Sequence, residues 1–322
     1  LVFANKKKYK EIAIDINGLA TEELSNVDIA DTIVRSLEAK SYKFDRYISE
    51  EKKKEESNVD LVTFITEDVA SVKSQIEKAA IIMNATALTR DLANERAEIA
   101  NPEWYEQQAR QLVSQHSDKL SIKVLQMDEL RELGMGMLIA VGQGAVVPPR
   151  LILIEYNQGG DSDKIALVGK GITFDTGGIN MKGTGFIEDM YLDNCGAATV
   201  LGALKAAVEL DVKKNIVAVL CMAENSVGPK SFLPSSILKS YKGLTVEIGN
   251  TDAEGRLVLG DGLTYVQKHY QPKTVVDLAT LTGACVVALG EYAAGLFGNT
   301  KALKNALVDS GDRVEEIVWP VC

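Results

Sequence analysis

Histidine is almost absent: the 322 residues include two, His116 and His269. That excludes a His-rich metal site, so any metal held by this chain must be bound mainly by carboxylates. Cysteine is equally sparse. Cys195, Cys221, Cys285 and Cys322 stand far apart without a Cys-x-x-Cys pair, which excludes a zinc knuckle or a disulfide framework and predicts reduced thiols in a cytoplasmic compartment. No apolar run approaches the roughly 20 residues that span a bilayer. Leu1-Val2-Phe3-Ala4 ahead of Lys6, Lys7 and Lys8 is the wrong order for a secretory signal, so no membrane partner is expected. Positive charge is not in surplus either. A net charge of −10 argues against nucleic acid as a partner, because neutralising phosphates takes clustered Lys and Arg. The lysines at 52–54 lie among acids, and residues 50–56 read as a solvated loop.

What is present is ordinary globular composition, 46% apolar and 25% charged. The length suggests two domains, or one large α/β domain with an N-terminal appendage. Residues 11–16 read as a strand, 27–39 as a helix and 59–65 as a strand, giving a small and incomplete α/β domain over 1–68. Val72, Ile76, Ala79, Ile82 and Ala85 are spaced for one buried helical face, so 69–95 reads as a connecting helix. Asn101-Pro102-Glu103 opens another helix with proline in its first turn. Strands at 121–125, 150–156, 165–168, 215–222 and 274–279 then alternate with helices at 128–133, 196–210 and after Glu254. The continuously apolar strands 165–168 and 216–220 predict a sheet covered on both faces. The fold class expected for 96–322 is α/β, a mixed and largely parallel sheet sandwiched by helices, ending at Cys322 on a strand-like start and so truncated.

Two polar clusters stand out against that frame. The first follows strand 165–168: Gly169-Lys170-Gly171-Ile172-Thr173-Phe174-Asp175-Thr176-Gly177-Gly178, then Lys182 and Asp193. A phosphate loop is disfavoured, since Lys170 is followed by Gly171 rather than Ser or Thr and Lys164 occupies the place of the first glycine. Gly134-Met135-Gly136 lacks the third glycine of a dinucleotide fingerprint. The second cluster is Asn250-Thr251-Asp252-Ala253-Glu254-Gly255-Arg256-Leu257, before a run with Leu257, Leu259, Leu263 and Val266 at helical spacing. Alone it reads equally well as a helix start capped by Thr251 or Asp252. Polar loops at strand C-termini are where sites form in such sheets. Asp175, Asp193, Asp252 and Glu254 could converge there with Lys170. Four buried anions would resist ionisation and repel one another. Two divalent cations, about 3.5–4 Å apart, would resolve that conflict and activate a shared water.

Asn250 to Leu257, with Val168 to Gly178, Lys182 and Asp193, closely resembles the leucyl aminopeptidase family of two-metal exopeptidases (peptidase family M17), from about Val69 to the chain end. The resemblance implies that 96–322 is a metallopeptidase catalytic domain and that Lys170, Asp175, Asp193, Asp252 and Glu254 are metal ligands, with Asp175 and Glu254 as bridges. It implies that Lys182 stands beside the scissile carbonyl and that Arg256 anchors a bicarbonate acting as general base. Met190, Thr280 and Gly283 resemble substrate-pocket positions, although a core methionine and a strand-ending turn account for them too. The implied cofactors are two divalent ions per chain, Zn²⁺ and/or Mn²⁺ or Mg²⁺, with bicarbonate. The implied substrates are peptides with a free N-terminus, leucine-like first residues preferred, and the implied assembly is a homohexamer. The alternative is a non-catalytic structural or interaction protein that retains the peptidase fold. Cys195, without a histidine near it in sequence, reads as a small helix-packing residue.

Overall fold

A computed structural model describes residues 2–54 and 59–321. The chain divides into two compact units, one reaching to Ala279 and one beginning at Thr280. The first opens with α1 (Val2–Lys6), β1 (Glu11–Asp15), α2 (Asn26–Ser41), α3 (Glu50–Lys54) and β2 (Leu61–Ile65). β1 and β2 pair in parallel. Ile16, Ile29, Ala30 and Val72 form a small apolar cluster with Phe64 and Ile76 beside them. Ser25 caps α2 through a capping box with Asp28. The expected loop over 50–56 is corrected in its first part: α3 forms because Glu50 and Lys53 pair at 3.0 Å one turn apart, acid first and base last as the helix dipole favours. Residues 55–58, and Cys322, lie outside the described residues.

The helix α4 (Val69–Asn94) follows, as its spacing predicts, with Val72, Ala79 and Ala85 buried. Then come α5 (Pro102–Gln115), capped by Asn101, β3 (Leu120–Leu125), α6 (Met127–Leu133), α7 (Gly136–Gly142), β4 (Arg150–Asn157), β5 (Lys164–Asp175), α8 (Cys195–Glu209), β6 (Asn215–Asn225), β7 (Ile237–Lys239), β8 (Thr245–Glu247), α9 (Gly255–Tyr270) and β9 (Thr274–Leu278). The main sheet has the order β3-β4-β6-β5-β9. β6, β5 and β9 run parallel, while β4 pairs antiparallel with both β6 and β3. The expected mixed sheet between helices is therefore what forms.

Side-chain alternation divides the core between the two faces. Leu151, Leu153, Val217, Val219 and Cys221 pack with α7 and α9 on one face. Ile152, Ile154, Ile216, Ala218 and Leu220 pack with α4, α5 and α8 on the other. Helix α7 and the β7/β8 hairpin were not expected from the sequence. Both are tied to α9 by Asp261, a fully buried carboxylate that accepts the N–H groups of Met137 and Leu138 at 3.0 Å and of Tyr241 at 2.8 Å. The second unit comprises α10 (Gly283–Leu289), β10 (Ala293–Leu296), α11 (Lys301–Val314) and β11 (Ile317–Pro320), with β10 and β11 parallel. Among the described residues no helix is long and apolar enough to cross a membrane.

Helix α4 meets α8 at close range because Gly202 has no side chain. A Cβ there would stand 2.0 Å from Thr89 Oγ1 and 2.9 Å from the Ala85 carbonyl oxygen. The Gly202→Ala variant is expected to lose about 1–3 kcal/mol of stability through this overpacking, measured by urea denaturation.

Candidate metal centre

The site is built where β5 and β6 end side by side. β5 continues seven residues beyond the expected 165–168, so Lys170 is a strand residue and Asp175 the last of the strand, not members of a glycine loop. The glycines are strand positions because α8 lies directly on them: a Cβ on Gly169 would fall 2.5 Å from the Ala197 Cα. Asp175 pairs in register with Asn225, the last residue of β6. Asn225 Nδ2 donates to Asp175 Oδ1 at 2.7 Å, and the Gly177 N–H reaches the same oxygen at 2.9 Å. One carboxylate oxygen is thus consumed by the scaffold. The other, Oδ2, faces Lys182 Nζ at 3.0 Å.

Thr251 brings the second cluster to the first. Its hydroxyl donates to the Gly177 carbonyl at 2.6 Å and accepts the Asn180 N–H at 2.8 Å, while its own N–H donates to Asn180 Oδ1 at 2.9 Å. The exchange requires the left-handed turn at Gly177 (φ +85°) and Gly178 (φ +68°). A Cβ on Gly178 would also lie 2.8 Å from the Thr251 hydroxyl. Thr251 is therefore not the cap of the following helix, and neither is Asp252. Asn250 caps the short 3-10 turn Thr251–Ala253 by accepting the Asp252 N–H at 2.9 Å, and α9 starts from Glu254 without a side-chain cap.

Six of the seven charges of the two clusters meet; Arg256 is the exception. Lys170 Nζ lies 2.8 Å from Asp193 and 3.0 Å from Glu254 Oε1; Lys182 Nζ lies 2.5 Å from Asp252 Oδ1. Oxygens of Asp175, Asp252 and Glu254 fall within 4.8 Å of one another, a spacing a cation could bridge. Lys170 and Glu254 are 3% and 2% exposed, so these charges act in a medium of low dielectric. Burial pushes the Glu254 carboxyl up to about 7, against the pull of Lys170 and with the added push of Asp175 and Asp193. Burial works against the Lys170 ammonium, but Asp193 and Glu254 outweigh it and hold that group above its ordinary value. Lys182 is likewise held up by Asp252 and Asp175 against burial.

This donor set fits divalent metal. Four carboxylates face two ammonium groups, leaving negative charge uncompensated, and Glu254 Oε2 is buried without a hydrogen-bond donor. Hard oxygen donors with one amine suit Zn²⁺, Mn²⁺ or Mg²⁺ without selecting one.

The remaining predicted positions fall as follows. Arg256 is exposed and lines a cavity of about 380 Å³ with Asn250, Ala253, Leu257 and the 246–249 segment. Met190 is half-buried and begins the 3-10 turn Met190–Leu192 that ends at Asp193. Thr280 and Gly283 belong to the second unit, both exposed, Gly283 as the first residue of α10. Cys195 opens α8 with its thiol pushed up to about 11 by burial and by Asp193, so it is protonated at neutral pH and suited to packing. Sequence reasoning missed Asn225 and Gly255. The polar residues that end the apolar 215–222 run could have signalled the first.

Gly255 leaves the space that Lys170 fills, since a Cβ there would stand 2.5–2.9 Å from its Cε, Cδ and Nζ atoms. Gly255→Ala is expected to displace the amine and weaken Mn²⁺ binding at least tenfold, read by isothermal titration, with the far-UV circular dichroism unchanged.

Comparison with known proteins places the chain in a family. The cytosol aminopeptidase family, catalytic domain, matches residues 87–322. A probable cytosol aminopeptidase of Pseudomonas syringae pv. syringae is 41% identical over 312 residues, covering 96% of this chain and 62% of the relative. The cytosol aminopeptidase of Pseudomonas aeruginosa is 42% identical over 313 residues, with the same shares of 96% and 62%. The chain thus spans less than two thirds of the length of these relatives. Among solved structures, the bottromycin maturation enzyme BotP in complex with Mn superposes with a TM-score of 0.86 at 29% identity, covering 97% of this chain and 66% of that one. By its catalytic-domain match and these relatives, the chain belongs to the cytosol aminopeptidase family.

Proposed function

We propose that this chain carries the catalytic centre of a metal-dependent aminopeptidase that removes the N-terminal residue, leucine-like by preference, from peptides. The observation that carries the reading is the gathering of Asp175, Asp252 and Glu254 within 4.8 Å, beside Lys170 and Lys182, in a member of this family. In this reading 96–322 is the catalytic domain, 69–95 the connecting helix and 1–68 a separate N-terminal α/β domain. Asp175, Asp193, Asp252, Glu254 and Lys170 would hold two divalent ions, Zn²⁺, Mn²⁺ or Mg²⁺, with Asp175 and Glu254 the carboxylates nearest to both. The Mn in the bottromycin maturation enzyme complex supports a divalent ion here. When bound, the ions supply Lewis acidity, anchoring the substrate's free amine, polarising the scissile carbonyl and making a water nucleophilic near neutral pH.

The chain's own groups do the rest. Lys170 must lose its proton to act as a ligand, so metal binding releases protons. Lys182 then keeps the one ammonium near the scissile carbonyl and stabilises the developing oxyanion. Arg256, exposed on its cavity wall, would hold bicarbonate, which would supply a general base, and Met190 would line the pocket for the first side chain. A cytoplasmic homohexamer is the assembly that the family favours.

Lys182→Ala is expected to lower kcat on a leucyl chromogenic amide about 10²–10³-fold, with KM little changed. Glu254→Ala is expected to abolish turnover together with metal binding, the circular dichroism spectrum being retained in both. Near-normal turnover by either variant sinks the mechanism. Elemental analysis after exposure to Zn²⁺ or Mn²⁺ is expected to find two ions per chain, and fewer than one favours the non-catalytic scaffold.

A further inference from the structure

Asp193 is a proposed ligand carried by neither a strand nor an α-helix. It ends the three-residue turn Met190–Leu192, and that turn follows a segment whose Ile179, Met181 and Phe186 are 43%, 67% and 76% exposed. What fixes the turn comes from behind it. Asn194, fully buried, donates from Nδ2 to the Tyr191 carbonyl at 2.8 Å and accepts at Oδ1 from the buried Tyr105 hydroxyl at 2.8 Å. The Tyr191 ring carries the Arg96 guanidinium, 4.0 Å from the ring centroid.

Arg96 is in turn set by its neighbour Glu95. That residue closes α4 and leaves it with extended backbone (φ −65°, ψ 142°). Its carboxylate is 1% exposed, at a helix C-terminus where the dipole disfavours an anion, so it persists only if donors reach it. Oε1 accepts the Arg96 N–H at 2.9 Å and the Tyr47 hydroxyl; Oε2 accepts Arg46 Nη1 at 2.6 Å. Burial opposes the charge, but Tyr47, the Arg96 N–H and Arg46 outweigh it and hold the carboxyl below its ordinary value.

The donors Arg46 and Tyr47 stand nearly fifty residues earlier in the chain. The segment that carries them is laid along the same end of α4: the Tyr42 hydroxyl donates to Asp91 at 2.8 Å, and Arg90 covers the Tyr42 ring at 4.0 Å and reaches the Ala39 carbonyl. A continuous path of contacts therefore leads from the N-terminal α/β segment through Glu95, Arg96 and Tyr191 to the residue two places before Asp193.

We propose that Glu95, Arg96 and Tyr191 are positioning residues that hold Asp193 opposite Lys170, and that Arg46 and Tyr47 complete this relay from the N-terminal segment. The proposal rests on the reading of Asp193 as a metal ligand. A purely structural ion pair at Glu95 would change stability when broken and leave the metal environment alone. The relay instead places the effect at one of the two ions, because Asp193 is displaced while Asp175, Asp252 and Glu254 keep their own supports.

The test is titration of the whole protein with Co²⁺ and with Mn²⁺, following calorimetric affinity and the visible Co²⁺ spectrum. In Arg96→Ala and Glu95→Gln one ion is expected to bind at least tenfold more weakly and the Co²⁺ bands to shift. The other ion is expected to keep its affinity. In the double variant the loss is expected to equal that of Arg96→Ala alone, since residues acting through one path are not additive. Arg96→Lys, which keeps a cation over the ring, is expected to recover part of the affinity and guards against a variant that fails to fold. Tyr47→Phe is expected to weaken the same ion in the same direction. An unaltered protein that binds divalent ions while Arg96→Ala and Glu95→Gln bind them as tightly, with unshifted bands, overturns the relay alone. An unaltered protein that binds no divalent ion overturns the metal-centre reading and the relay with it.

Discussion

Three carboxylates and one ammonium group taken out of water together, with Asp252 and Lys182 at their partly exposed rim, are the constraint from which the rest of this molecule follows. Each such charge costs several kcal/mol to desolvate unless it is paired and its remaining lone pairs are served. The chain meets that demand by placing the acids where backbone donors are free. Asp175 is the last residue of β5 and receives the Gly177 N–H and Asn225 Nδ2 on one oxygen. Asp252 and Glu254 stand at the start of α9, where the dipole favours anions. The scaffold takes one side of the Asp175 carboxylate and leaves the other to the site. That division makes the arrangement rigid enough to hold ions and open enough to accept them.

The topology explains why residues 59 to 84 apart in sequence can share one centre. Parallel pairing of β5 and β6 brings Asp175 and Asn225 to the same sheet edge. Asn225 Nδ2 also reaches the Thr251 carbonyl at 3.1 Å, so a single amide spans both clusters. Thr251 then locks the loop after β5 to the turn before α9 through Gly177 and Asn180. Further along α9, Asp261 fastens the helix to α7 and to Tyr241, two residues past β7. The helix that starts at the ligands is thereby fixed at its first turn and again one and a half turns later.

Much of this was legible in the sequence, for identifiable reasons. Apolar spacing marked α4 and α9, Asn101-Pro102 marked the start of α5, and a continuously apolar run marked β6 as a strand covered on both faces. The two polar clusters announced themselves by charge density at strand and helix ends. What escaped detection depended on partners distant in sequence. β5 looked shorter than it is because glycines that hide from a pattern search are there to admit α8. Thr251 looked like a cap because its real acceptor, the Gly177 carbonyl, is 74 residues away. Asn225, Asp261 and Glu95 are polar residues whose function is defined wholly by tertiary neighbours, and a single sequence offers no way to name those neighbours.

The molecule's two most buried ionic clusters outside the site make an instructive contrast. Glu106, with Arg110 and Arg150, joins the middle of α5 to β4, two elements already packed in one apolar cluster. Its cost is offset within a region that hydrophobic contact holds together anyway. Glu95 lies at the end of an element, and its partners Arg46 and Tyr47 come from the segment after α2, nearly fifty residues away. Helix α4, 26 residues and so about 39 Å long, packs against the N-terminal cluster through Val72 and against the sheet's helical layer through Leu92 and Ala93. A stiff element shared by two cores cannot move in one without moving in the other. An ionic cluster at its far end, beside the turn that carries Asp193, is where such a displacement would be felt first.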